Sequence, residues 1–176
     1  MSQLAAFSLK DWIDEHRHLL KPPVGNAQVF PDRDFIVMIV GGPNARKDFH
    51  INPTEELYYQ IEGDMNLKII EDGRPRDIPI REGDIFLLPP DTPHCPQRPA
   101  NTIGMVVERK RPAGQNDHLR FCCEKCGEIL FDPQFYLTDI VKQLKPLMDK
   151  FWADMSLRTC KKCGTVMQPP TPTVAK

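Results

Sequence analysis

The 176-residue chain is long enough to bury a full core and is most simply one domain with a small appendage. Its 23 basic and 24 acidic residues nearly cancel, so no broad field favours nucleic acid or an anionic membrane surface, and a small-molecule ligand is the better expectation. Ser8, Lys10, Asp11 and Asp14 interrupt the N-terminal region before a signal-peptide core can form, and no apolar run approaches a membrane span, so a soluble, cytoplasmic protein is expected.

Taken in chain order, Ser8-Leu-Lys-Asp11 resembles a capping box with Asp in place of Glu, and Leu9, Trp12, Ile13, Leu19 and Leu20 follow it as an apolar stripe. These predict a helix of about three turns that stops at Lys21-Pro22-Pro23. His16 and His18 have no partner ligand at a suitable spacing and read as surface residues. From Gln28 to about Glu108 the texture changes to short β runs: Phe35 to Val40, Leu57 to Ile61, Met65 to Ile70, Ile78 to Ile80, Ile85 to Leu88 and Ile103 to Val107. Turn signals separate them, Asp72-Gly73 being a good hairpin turn. Many short strands indicate a sandwich or small barrel. Further on, Leu137, Ile140, Val141, Leu144, Leu147, Met148, Phe151, Trp152 and Met155 recur at helical spacing, as one helix kinked near Pro146 or two short ones packed on the barrel. The tail from Gln168 is rich in Pro and Thr and is expected to be disordered. The expected division is 1–112 for the barrel with its N-terminal helix and 113–176 for the appendage.

Between Gly42 and Arg98 three potential metal ligands, His50, Glu56 and His94, stand in an ordered pattern. Each alone reads as an ordinary hydrogen-bonded side chain. Their weight comes from the matched intervals of Gly, His, Glu, Gly and then Gly, Pro, His, each set flanked by strand-like sequence. Two imidazoles and one carboxylate suit a non-haem Fe(II) site, because three protein ligands leave positions open for substrate and dioxygen. Four of the six cysteines form two matching pairs, Cys123-Glu-Lys-Cys126-Gly127 and Cys160-Lys-Lys-Cys163-Gly164. In a reducing compartment such pairs read as a tetrahedral Zn or rubredoxin-like Fe site before they read as disulfides. Cys122 is a spare neighbour, and Cys95, next to His94, is either oxidation-prone near iron or buried and inert.

The two blocks around the His and Glu ligands resemble the signature motifs of the cupins, small jelly-roll barrels with a metal inside. Asn52 stands where many cupins carry a further His, which leaves three protein ligands. A narrower resemblance spans nearly the whole chain. Leu20-Lys-Pro-Pro-Val-Gly-Asn26, Val40-Gly-Gly-Pro-Asn44, the His50 to Glu56 segment, Leu87-Leu-Pro89, Pro93-His94, Pro96-Gln-Arg98, Val107-Glu-Arg109 and the cysteine pairs are similar to the short, single-cupin 3-hydroxyanthranilate 3,4-dioxygenases of microbes and fungi.

That resemblance implies an extradiol-type ring cleavage of a small aromatic amino-hydroxy acid with dioxygen, at Fe(II) held by His50, Glu56 and His94. The family's product, 2-amino-3-carboxymuconate semialdehyde, closes to quinolinate, a precursor of NAD. Arg46 and Arg98 lie four residues outside His50 and His94 respectively, and the resemblance implies that both clamp the substrate carboxylate, Arg46 also meeting dioxygen. Glu108 is implied as acceptor for the substrate's hydroxyl or amino protons and as a general base, on a strand whose Thr102, Gly104 and Val106 are small enough to border a cavity. Phe49, Leu57 and Tyr59 are candidates to pack on the aromatic ring, with a core role as the default. A homodimer is expected, with the cysteine site structural. Competing readings are a metal-dependent cupin isomerase or epimerase that needs no oxygen, and a non-enzymatic ligand-sensing cupin.

Overall fold

The computed structural model describes residues 5–21, 25–31 and 33–170. The Pro22-Pro23 helix stop and the tail beyond residue 170 lie outside these, as do the side chains of Ile140 and Val141. Helix α1, Leu9–His16, begins where Ser8 Oγ accepts from the Asp11 amide at 3.2 Å. It tightens into a 3-10 turn, Arg17–Leu19, so the regular helix is shorter than expected. Ile13 and Leu20 bury against Ile39 and Ile103 on the outside of the barrel.

The strands are β1 Asn26–Gln28, β2 Phe35–Gly41, β3 Asp48–Ile51, β4 Glu56–Glu62, β5 Met65–Glu71, β6 Arg74–Ile80, β7 Ile85–Leu88, β8 His94–Gln97, β9 Ile103–Arg109, β10 Asp117–Cys122, β11 Ile129–Phe131 and β12 Gln134–Phe135. They form two antiparallel sheets, one ordered β1-β2-β9-β4-β7 and the other β11-β10-β3-β8-β5-β6 with β12 beside β10. This is the jelly-roll arrangement that the cupin resemblance implies. All six expected strands are present. β6 extends four residues before Ile78 because Arg74-Pro-Arg-Asp77 forms an exposed sheet edge, where Pro and charge are tolerated and discourage further pairing. β3 and β8 were not expected, since their inward positions include His50 and His94, which hide the pattern; β10 was not expected either, although its buried Leu119 and Phe121 alternate with polar residues.

Side chains alternate across each strand. On β4 this sends Glu56, Tyr58 and Gln60 inward, while Leu57 and Tyr59 face out. The inner faces meet in a core of Met38, Tyr58, Leu88 and Val106 against Met65, Leu67, Ile69 and Ile80.

β10 pairs with β3 over four residues, His118↔Ile51 to Phe121↔Asp48, so residues 117–122 belong to the barrel's sheet. The 113–176 segment of the expected division thus begins with a strand that extends the barrel's sheet beside β3. Helix α2, Ile140–Ala153, continues through Pro146 without dividing there. The break comes at Asp154, whose carboxylate accepts from the Ser156 amide at 2.8 Å and starts α3, Met155–Arg158. Leu144 and Phe151 of α2 pack on Leu119 and Phe121 of β10, with the two Phe rings stacked at 3.8 Å. No helix among the described residues is long and apolar enough to cross a membrane.

Candidate active site

β3, β4 and β8 bring the three expected ligands together inside the barrel. His50 and His94 are register partners across β3 and β8, and Glu56 is the first residue of β4. All three are buried, and one donor atom from each lies within 4.8 Å of the others. His94 Nδ1 donates to the Thr92 carbonyl at 2.9 Å, which leaves Nε2 as the lone-pair nitrogen, 3.2 Å from Glu56 Oε2. His50 Nε2 lies 2.7 Å from Asp117 Oδ2. Burial opposes ionisation of Asp117, but hydrogen bonds from His50 and Arg111 hold its carboxyl below the usual range, so it accepts and His50 keeps Nδ1 as its lone pair.

Glu108 faces Glu56 in register across β9 and β4. Burial first, and then the charge of Glu56, push the Glu108 carboxyl up to about 7 against the pull of Arg111. Asn52 reaches both carboxylates at 3.3 and 3.4 Å, yet its Oδ1 is buried without a partner. Two oriented imidazoles, crowded carboxylates and an orphaned amide oxygen fit a divalent cation, which would relieve the repulsion.

These groups open on a cavity of about 430 Å³. Its barrel wall includes Met38, Tyr58 and Val106, and α2 contributes Leu144, Met148 and Trp152 together with Lys145 and Asp149. Arg98, 3% exposed, donates from Nη1 to Gln60 Oε1 at 3.0 Å, while its Nε is unpartnered. Among the described residues no carboxylate is in ion-pair contact with it, and burial lowers its pKa to about 10. Gly104 makes room for this guanidinium, since a Cβ there would stand 2.7 Å from both Arg98 Nη1 and Gln60 Oε1. An uncompensated buried cation beside a His-His-Glu donor set calls for an anionic, metal-chelating ligand.

A family model described as 3-hydroxyanthranilic acid dioxygenase matches residues 1–152. The chain belongs to that family. It is 52% identical over 167 residues to 3-hydroxyanthranilate 3,4-dioxygenase of Ruegeria pomeroyi, covering 94% of this chain and 93% of the relative. It is 54% identical over 155 residues to the enzyme of that name from Candida albicans, covering 88% and 90%. Among solved structures, a cupin-2 domain protein from Shewanella frigidimarina aligns with a TM-score of 0.46 at 15% identity, over 55% of this chain and 91% of that one.

Within the cavity the two arginines are not equivalent. Arg46 borders the cavity, but its Nε and Nη2 bind the buried carboxylate of Asp48. Of the two arginines that the resemblance implies as a clamp, Arg46 is thus paired with Asp48, and Arg98 meets the neutral amide of Gln60. Leu57 and Tyr59 point away from the cavity, and Phe49 does not border it, because strand alternation gives those inward places to Glu56, Tyr58 and His50. Cys95 is buried with Sγ 3.0 Å from Gln97 Nε2, and burial lifts its thiol to about 12, the inert alternative of the two considered.

The four cysteines Cys123, Cys126, Cys160 and Cys163 also converge. The Cys123–Cys163 and Cys126–Cys160 sulfurs are 3.6 Å apart, far beyond a disulfide bond and suited to thiolates around one metal. The two knuckles match: the Gly127 and Gly164 amides return to the Cys123 and Cys160 carbonyls at 2.9 and 2.8 Å, with φ of 73° and 74°. Cys122 stands outside the cluster.

Sequence reasoning missed Asp117 and Arg111. Arg111 ties Asp117 (2.6 Å) to Glu108 (2.6 Å) in a buried network behind His50. It also missed Asp48, Gln60, Tyr58 and Asn26, whose Oδ1 is buried without a partner at the cavity. The contacts that give Asp117 and Gln60 their places, with His50 and Arg98, cross 67 and 38 residues, so no local pattern marks them.

Proposed function

We propose that the chain cleaves the ring of 3-hydroxyanthranilate, adding both atoms of dioxygen to give 2-amino-3-carboxymuconate semialdehyde on the route to quinolinate and NAD. The observation that carries this reading is Arg98, a buried cation that no carboxylate among the described residues pairs with, in the same cavity as the His50, Glu56 and His94 donors. Fe(II) held by those three residues would supply a redox-active Lewis acid with open positions for the ortho hydroxyl and amino groups and for dioxygen. Arg98 takes the substrate carboxylate. Arg46, steadied by Asp48, lines the same chamber, where it contributes a weaker field and faces dioxygen. Glu108, near neutral pH in its proton affinity, accepts a proton from the substrate's hydroxyl or amino group. Asp117 and Arg111 hold His50 and Glu108 in place. Leu144, Met148 and Trp152 of α2 offer apolar contact to the reacting ring.

The four-cysteine site takes Zn or Fe in a structural role, and we place the boundary of its lobe after β10. Leu57, Tyr59, Ile85 and Leu87 form an outer apolar face on β4 and β7, with Ile85 68% exposed, which supports a homodimer through this sheet. The balanced charge and absence of any long apolar helix among the described residues support a cytoplasmic enzyme. Anaerobic loading with Fe(II), followed by 3-hydroxyanthranilate and oxygen, should consume one dioxygen per ring cleaved. Turnover without oxygen uptake would favour the isomerase reading, and binding without turnover the sensor.

A further inference from the structure

The inner row of β4 sets three buried polar side chains in a line: the metal donor Glu56, the phenol of Tyr58 and the amide of Gln60 that holds Arg98. Alternate residues of a strand stand roughly 6.6 Å apart. Tyr58 therefore lies midway between the donor set and the free cation, and it forms part of the cavity wall. It is 1% exposed, and its hydroxyl has no hydrogen-bond partner among the described residues. The Glu56 carboxylate is near but does not meet it in hydrogen-bonding geometry. A phenylalanine would fill the same core space without leaving a buried hydroxyl unpaired, so the oxygen needs a reason to be there.

A bound carboxylate supplies that reason. It offers about four lone-pair sites, more than one guanidinium fork can satisfy. We propose that Tyr58 is a substrate-binding residue whose hydroxyl donates to the carboxylate of the bound amino-hydroxy acid, sharing that group with Arg98. The inference rests on the ring-cleavage reading above. Tyr58 then helps distinguish acids from neutral aminophenols of the same shape.

The test is Tyr58→Phe in the iron-loaded enzyme, titrated without oxygen. The ring that packs on Met38 and Val106 is kept, so the unliganded thermal midpoint should be unchanged or raised. Affinity for 3-hydroxyanthranilate should fall on the order of ten- to a hundred-fold, as for a lost hydrogen bond to a charged group, while affinity for 2-aminophenol stays as in the unsubstituted enzyme. Equal weakening for both ligands would place the hydroxyl at the metal end and overturn the proposal, as would no weakening for either. A lowered midpoint would overturn it too, by revealing a partner within the free protein. If the unsubstituted enzyme neither binds nor oxidises 3-hydroxyanthranilate, the ring-cleavage reading fails, and this proposal with it.

Discussion

Arg98 and Arg46 are the same residue type at mirror-image positions about two metal-ligand motifs, yet their surroundings give them different work. Arg46 is neutralised by Asp48, whereas no carboxylate among the described residues pairs with Arg98. Arg98→Ala should cost about 2 to 5 kcal/mol in transition-state binding of the acid substrate, as for one partner of a desolvated charge pair. The ratio of kcat/KM for 3-hydroxyanthranilate to that for 2-aminophenol measures it, and an unchanged ratio would refute the assignment. Behind the ligands, Asp117 orients His50 as carboxylates orient metal-bound imidazoles elsewhere. Asp117→Asn should weaken iron binding about 10- to 100-fold, read by competition with a chelator, with little change in the fold seen by circular dichroism. The cluster of His50, Glu56 and His94 was legible because its spacing is local to two short motifs. Asp117 and Tyr58 were not, since one is delivered by a strand 67 residues from its partner and the other looked like one more apolar strand residue.

At the scale of elements, β2, β4, β5, β7 and β9 could be read as short apolar β runs between turn signals, while β3 and β8 could not. His50 and His94 point inward on those two strands, so the positions that normally advertise a strand by being apolar are polar. Helix α2 was legible as a helix from its spacing, but its second role was not: the face that packs on β10 also walls the cavity. The cysteine knuckles close the segment from Cys123 to Cys160 that contains α2. Cys160→Ser should therefore lower the melting temperature and raise KM, while kcat per bound catalytic iron stays near that of the parent enzyme. Replacing Fe by Zn at the cysteine site alone should change neither constant, because Zn(II) keeps the thiolate geometry without redox activity. A large fall in kcat on that exchange would refute a structural role.

For the whole molecule, the five-stranded sheet presents two unlike halves to the outside. α1 covers Ile39 and Ile103, while Tyr59, Ile85 and Leu87 remain uncovered by any described element. Leu87→Asp should shift the sedimentation profile from dimer to monomer without loss of barrel structure, because Leu87 is half exposed and its side chain adds little to the core of one chain. A parent protein that sediments as a monomer would refute the dimer outright.

The strand β10 has Asp117 at one end, against His50, and runs at the other into Cys123. Roughly 20 Å of extended backbone separates the two, and no ligand atom is shared between the centres. Magnetic exchange needs a bridging atom or direct overlap, so iron placed at both sites should behave as two isolated spins. The Mössbauer spectrum is then the plain sum of a high-spin nitrogen and oxygen site and a tetrathiolate site, and oxidising one should leave the isomer shift of the other unmoved.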